Sequence, residues 1–329
     1  MLVGNPEEFH VGGHFQRAAH SLGSFVSVCD VRAAYIGSRW MRAIYWRWDR
    51  RPLRLARFSQ ELLAMCYREK PTHLLTTGLA PVRSQELAKI GTEGVLRLTF
   101  LTDDPWNPVH RGRWIDASLR EYDHVFSPRR ANLKDLGNHG CRQVHYLPFA
   151  YSPDVHVSTA KDVNGTDVED VLFAGGADLD RLPYIRALIS AGLKVALYGS
   201  YWDRYADLQP HWRGHADLAT LRRMTPAAKI VLCLVRRANR DGHAMRSFEA
   251  SAMGGCMLAE DTPEHREIFG PDGEAVLYFR TVHEMIDQTR WLLERHTERK
   301  RLAATVYARI TGGQNTYADR LKTMLQFTR

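Results

Sequence analysis

Residues 241–255 read DGHAMRSFEASAMGG and place two carboxylates, Asp241 and Glu249, eight positions apart with Arg246 between them. The run follows an apolar segment, IVLCLV at 230–235, and a polar loop, and it opens a helix. That order puts Asp241 in the loop and Glu249 in the first turns of the helix. The start of a helix offers unpaired N–H groups and a partial positive charge, which suit a diphosphate. Gly242 lets backbone approach a ligand without a Cβ in the way. His243, Ala244, Met245, Arg246 and Ser247 continue the same approach. A carboxylate at Glu249 can accept hydrogen bonds from both hydroxyls of a ribose, and Asp241 can do the same for sugar hydroxyls. Arg246 can offset charge on a departing diphosphate. The plain alternatives are surface carboxylates near a helix start and a salt bridge between Arg246 and Glu249.

The elements that must position these residues alternate. In the first half, strands are expected at 2–4, 25–30, 72–77, 95–102, 124–126 and 144–147, and helices at 14–22, 53–68, 84–90 and 130–136. Gly12 and Gly13 fall in an expected loop after the first strand. Asp103 and Asp104 follow the fourth strand, where either could orient an acceptor hydroxyl or simply make a turn. Residues 151–169 are polar and aperiodic, as in a linker. The alternation restarts with strands at 170–174, 194–198, 230–235 and 256–258, and helices at 182–191, 218–224, 247–253, 283–294, 299–311 and 317–327. Gly175 and Gly176 close the first of these strands. The pattern predicts α/β architecture with two doubly wound, Rossmann-like domains and a ligand cleft between them. The domains are expected at 1–150, joined by a C-terminal helix at 315–329, and at 170–314, with 151–169 as the link.

Bulk properties agree with two ordinary cores. The chain has 329 residues, 44% hydrophobic and 25% charged. Its five cysteines are dispersed and odd in number, which points to free thiols in a reducing compartment and to no zinc site. His10 and His14 are four apart with no third ligand near in sequence, so no metal is expected. The start, MLVGNPEEFH, lacks a secretory pattern, and no apolar run approaches the ~20 residues of a membrane span. These features predict a cytoplasmic location, with one qualification. Residues 39–58 hold seven arginines against one aspartate, together with Trp40, Trp46 and Trp48. Such a run is usually a solvated face; its functional reading is a patch that meets anionic lipid at the inner membrane face, or an acidic acceptor. No nucleic-acid recognition motif accompanies it.

The segment 241–254 resembles the motif of retaining GT-B glycosyltransferases, in which two glutamates are separated by seven residues. Asp241 falls at the first glutamate, Gly242 at a glycine, Glu249 at the second glutamate and Gly254 at the final glycine. RSFEASAMGG, and NTYADR at 315–320, are similar to the CgeB-like branch, named after a spore-maturation protein. Val11-Gly12-Gly13, residues 122–128, residues 146–149 and Gly175-Gly176 also resemble segments of that branch. Trp212-Arg213-Gly214-His215 stands where the family has its nucleobase loop, although Trp212 equally suits a core position. The resemblance implies transfer of a sugar from a nucleotide-diphosphate donor to a glycan, lipid-linked or small-molecule acceptor, with retained configuration and neither metal nor separate cofactor. Aspartate in place of the first glutamate affects sugar recognition, and the family's histidine after a first-domain strand is replaced by Asp103-Asp104. Two alternatives are a non-hydrolysing sugar-nucleotide epimerase and a non-catalytic binding or structural protein on the same fold.

Overall fold

The computed structural model describes residues 1–157 and 169–327. It divides into two units. The first comprises Met1–Pro148, Ala238–Arg240 and Tyr317–Arg329, and the second comprises Phe149–Arg237 and Asp241–Thr316.

The first unit runs β1 (Leu2–Gly4), α1 (Val11–Ser21), β2 (Val28–Asp30), α2 (Arg39–Asp49), α3 (Leu55–Glu69), β3 (His73–Thr77), α4 (Ser84–Thr92), β4 (Leu96–Phe100), α5 (Arg113–Leu119), β5 (His124–Ser127), α6 (Arg130–Asn138) and β6 (Val144–Tyr146). Its six strands are parallel, in the order β2-β1-β3-β4-β5-β6. The connections between them carry the chain back to the same end of the sheet, and the order reverses between β1 and β3. Val3, Leu62, Leu74, Leu87, Ile90 and Val125 are fully buried in one core. Side chains of this size contribute roughly 1.5–3 kcal/mol each when removed from water.

The second unit runs β7 (Val171–Ala174), α7 (Leu182–Ser190), β8 (Val195–Tyr198), α8 (Leu218–Ala227), β9 (Ile230–Cys233), α9 (Met245–Ala252), β10 (Met257–Glu260), α10 (Pro263–Phe269), β11 (Leu277–Phe279), α11 (Val282–Glu294) and α12 (His296–Gly312). Five parallel strands stand in the order β11-β10-β9-β7-β8. All four residues of β9 are buried, as expected for a central strand covered on both faces. The reversal of order lies between β7 and β9. The chain closes with α13 (Tyr317–Gln326), which returns to the first unit and packs on α1. There the ring of Tyr317 stacks on that of His14, with centroids 4.7 Å apart.

Several sequence expectations need correction. Val11, Gly12 and Gly13 are the first turn of α1 rather than a loop. The strand expected from Phe25 begins only at Val28, and Phe25 is 94% exposed. Helices α5 and α10 and strand β11 were not anticipated. They have seven, seven and three residues, too few for a hydrophobic period to repeat. The beginning of the supposed linker is packed: Tyr151 bridges Thr316, and Val155 and His156 are buried. Residues 158–168, with Asn164, lie outside the described residues.

Candidate functional site

In an open parallel sheet the carboxyl ends on either side of the order reversal diverge and leave a crevice for ligand. In the second unit that crevice lies between β7 and β9, and Arg181 spans it. Nη1 of Arg181 donates to Gly176 O after β7 at 2.9 Å, and Nη2 approaches Leu234 O after β9 at 3.5 Å. The residue is 8% exposed. Its Nε lies 3.4 Å from Asp178 Oδ2 but makes no hydrogen bond among the described residues. Burial is the largest influence on this guanidinium and pulls its basicity down, opposed first by Asp178; Arg236 adds to the fall, while Asp241 and Glu260 oppose it. A buried cation with an unused donor at a sheet's ligand-binding edge is suited to an anion. Nothing in the sequence marked Arg181, because a single arginine at a helix start reads as a surface residue.

The loop after β9 brings in the predicted motif. Asp241 is half-buried, and its amide donates to Arg236 O at 3.2 Å. Helix α9 begins at Met245 with Ala244 as N-cap and no side-chain cap, so the first-turn amides have no competing side-chain acceptor there. Glu249 lies in the second turn and is 2% exposed, not the surface carboxylate of the plain alternative. Arg246 Nη1 lies 2.6 Å from its Oε2, so the salt bridge given above as a plain alternative is present. Arg246 also has a buried Nε without a hydrogen bond among the described residues. On the other side His156 Nε2 is 3.4 Å from Glu249 Oε1. Ser152 N donates to His156 Nδ1 at 2.9 Å, which leaves the proton of a neutral ring on Nε2, aimed at the carboxylate. His156 lies in the polar stretch read as linker, so spacing alone could not join it to Glu249.

Other predicted residues have different work. Gly242 does not leave open space on its Cβ side: a Cβ there would stand 2.0 Å from the Glu264 carboxyl carbon, so a carboxylate occupies the expected approach. His243 is 1% exposed, accepts from Phe149 N at 3.2 Å and packs edge-on against Phe149 and Phe248. Ser247 is fully buried and bonds His265 Nε2 at 3.1 Å. Both side chains therefore hold α9 in the core instead of facing a ligand. Gly175 donates to Tyr198 O, and its carbonyl accepts from Trp202 Nε1 at 2.8 Å; Gly176 carries the carbonyl that holds Arg181. Trp212 packs on the second-unit core with Nε1 donating to Gly199 O at 3.0 Å, so core packing occupies the predicted base-stacking residue. Arg213 is paired with Glu169 at 3.1 Å.

In the first unit, Asp104 is a structural anion. It is 1% exposed and accepts from Trp106 N at 3.0 Å, Asn132 Nδ2 at 2.9 Å and Arg240 Nε at 2.5 Å. These protein donors tie Asp104 into the first unit. Asp103 accepts from Asn239 Nδ2 at 3.0 Å and faces His110 Nε2 at 3.9 Å. Burial would raise its pKa, but Arg129, His110 and the bonds from Asn239 and Thr102 together hold it below the ordinary carboxylate value. It stays ionised. Gly12 and Gly13 serve chain packing: a Cβ on either would stand 2.4 Å from a backbone oxygen, that of Asn5 and of Glu7 respectively.

Residues 181–326 match the sequence model of a family described as Glycosyl transferase-like. No curated protein matches the chain significantly in sequence. Among solved structures it is similar to a glycosyltransferase from Rickettsia africae, at 9% identity and TM-score 0.66, covering 99% of this chain and 97% of that one. It is also similar to sucrose-phosphate synthase from Thermosynechococcus elongatus, at 13% identity and TM-score 0.63, covering 84% and 78%. A third, from Listeria monocytogenes and assigned as a UDP-N-acetylglucosamine 2-epimerase, has 12% identity and TM-score 0.55, covering 94% and 85%. No helix among the described residues is long and apolar enough to cross a membrane. The chain thus has the GT-B fold of two parallel-sheet, Rossmann-like units, and from Arg181 onward it carries a glycosyl transferase-like sequence.

Proposed function

We propose that this protein is a glycosyltransferase of the CgeB-like branch, moving a sugar from a nucleoside-diphosphate donor to an acceptor hydroxyl with retained configuration and without a metal. The observation that carries the reading is Arg181, a buried guanidinium with an unused Nε at the order reversal of the second sheet. Breaking the sugar–phosphate bond leaves negative charge on the diphosphate. Arg181, Arg246 and the uncapped start of α9 supply fixed positive charge and N–H donors for it. Glu249, paired with Arg246, accepts the ribose hydroxyls, and Asp241 receives hydroxyls of the transferred sugar. Retention and metal independence rest on the resemblance of residues 241–254 to the two-glutamate motif.

The test is release of nucleoside diphosphate from a panel of nucleotide sugars, with and without hydroxyl acceptors. Release that needs acceptor and is lost in Arg181→Gln, while Arg181→Lys retains part of it, supports transfer. Rearrangement of the donor without acceptor would support the epimerase reading, which the Listeria neighbour keeps second. No turnover of any donor overturns both.

A further inference from the structure

Helix α2 buries none of its residues. Met41, Tyr45 and Asp49 recur at four-residue spacing and are half-buried against the first unit. One position earlier on the wheel lies a second row at the same spacing, and it is turned to water: Trp40 is 67% exposed, Ile44 55% and Trp48 85%. Residues four apart on a helix share a face, so these three make one continuous apolar stripe. Ile36, 54% exposed, precedes it. Arg39, Arg47 and Arg50 lie beside the stripe on the helical wheel, Arg42 lies on the far side, and Arg51, Arg54 and Arg57 follow.

The helix is not loosely attached. Asp49 Oδ1 accepts from Arg113 N at 2.9 Å, Arg50 O accepts from Trp114 Nε1 at 3.3 Å, and Arg54 N donates to Ala34 O at 2.9 Å. Beside Trp48 opens a surface cavity of about 620 Å³, lined in part by Arg47, Arg50, Arg111 and Arg113. A firmly held row of large apolar side chains in water marks an interaction surface.

We propose that α2 docks the first unit on an anionic lipid bilayer, with the helix lying along the surface. Trp40, Ile44 and Trp48 enter the boundary between headgroups and acyl chains, and the arginines meet lipid phosphates. Charge selects this occupant: residues 39–58 carry seven arginines and one aspartate, which opposes a second copy of the same face and favours a dense array of anions. Composition selects it too. Tryptophan, with an apolar body and a polar N–H, is the side chain enriched at the membrane interface, and the guanidinium fork suits phosphate. The proposal is independent of the transferase reading.

The test is co-sedimentation of the full chain with vesicles of phosphatidylcholine alone and of an equal mixture with phosphatidylglycerol. Binding is expected to the mixed vesicles only, to weaken with salt, and to shift tryptophan emission to the blue. Removing three arginines in Arg39→Gln/Arg47→Gln/Arg50→Gln should weaken binding about 100-fold, at about fivefold per charge near the surface. Trp40→Ala/Ile44→Ala/Trp48→Ala should also lose binding, while its unfolding midpoint stays near that of the wild type. No binding to mixed vesicles, equal binding to both kinds, or wild-type binding by the apolar variant overturns the proposal. So does self-association or nucleic-acid binding that depends on α2 without vesicle binding.

Discussion

Replacing Glu249 by glutamine keeps the shape of the side chain and removes its charge. In the free protein the change loosens the contact with Arg246 at 2.6 Å and with His156 at 3.4 Å, so the resting stability of the variant will itself move. The informative quantity is therefore the shift each protein shows on adding ligand. For the wild type, a nucleoside diphosphate at ~100 times its dissociation constant adds ~2.7 kcal/mol, equivalent to ~5–10 °C for a domain of this size. Hydrogen bonds to a charged group are worth about 1.5–3 kcal/mol. Losing ~2 kcal/mol of them weakens binding ~30-fold, so the same ligand concentration is then only ~3 times the dissociation constant and adds ~0.8 kcal/mol. The ligand-induced shift should fall to about a third. Differential scanning fluorimetry with a panel of nucleoside diphosphates reads this directly and names the base. An equal shift in both proteins would refute a ribose-binding role for Glu249, and no shift with any nucleotide would refute the donor site.

Two further predictions concern stability. Burial of the ring pushes His265 down to about 4 from 6.5, against the opposing pull of its Nδ1 hydrogen bond to Glu260 O and of Asp261; Nε2 lies on Ser247 Oγ. Its folded pKa is depressed, so its contribution is complete above pH 6.5 and shrinks as pH falls toward 4, by about 3 kcal/mol in all. Urea midpoints measured across that range should fall steeply in the wild type and less steeply in His265→Gln; parallel curves would refute the assignment. The Arg240–Asp104 pair should respond unequally, since Arg240 is 40% exposed and Asp104 only 2%. Arg240→Gln strands a buried charge and should cost about 3 kcal/mol, whereas Asp104→Asn leaves an arginine that water can solvate and should cost less; the reverse order in denaturant unfolding would overturn this account.

What the sequence disclosed follows from how local each feature is. Strand β9 and helix α9 were legible because an all-apolar run and an i,i+3 charge pair are short-range patterns. Arg246 and Glu249 meet, as an i,i+3 spacing allows. The partners that define their surroundings were not legible. His156 reaches Glu249 from 93 positions away in a stretch with no periodicity, and Glu264 lies against Gly242 from the start of an unanticipated helix. Gly12 and Gly13 show the ambiguity of glycine itself. Absence of a Cβ admits a ligand or admits the chain, and here the carbonyls of Asn5 and Glu7 take the space. Asp103 and Asp104 are neighbours with different environments, because one lies half-open beside His110 and the other beneath Arg240.

The charge balance around Arg181 shows what the second unit must still supply to hold a diphosphate. The guanidinium and those of Arg236 and Arg237 are set against Asp178, Asp241 and Glu260, three cations against three carboxylates. Two of the Arg181 nitrogens are committed to carbonyls after β7 and β9. Lysine at this position would keep the positive charge but not both of these bonds, which the planar fork makes together. Arg181 is thus part of the fold as well as a positive surface, and a neutral cluster alone would hold an anion weakly. The remaining positive potential comes from Arg246 and the start of α9, both supplied by the segment around Glu249. Pairing Arg246 with Glu249 spends part of that charge in the free protein. On the proposed reading, a donor engaging Glu249 through ribose hydroxyls would share that carboxylate with Arg246, which would couple ribose and diphosphate recognition through one i,i+3 pair. Loss of either member should therefore weaken nucleotide binding more than it weakens binding of inorganic pyrophosphate, which has no ribose to contribute.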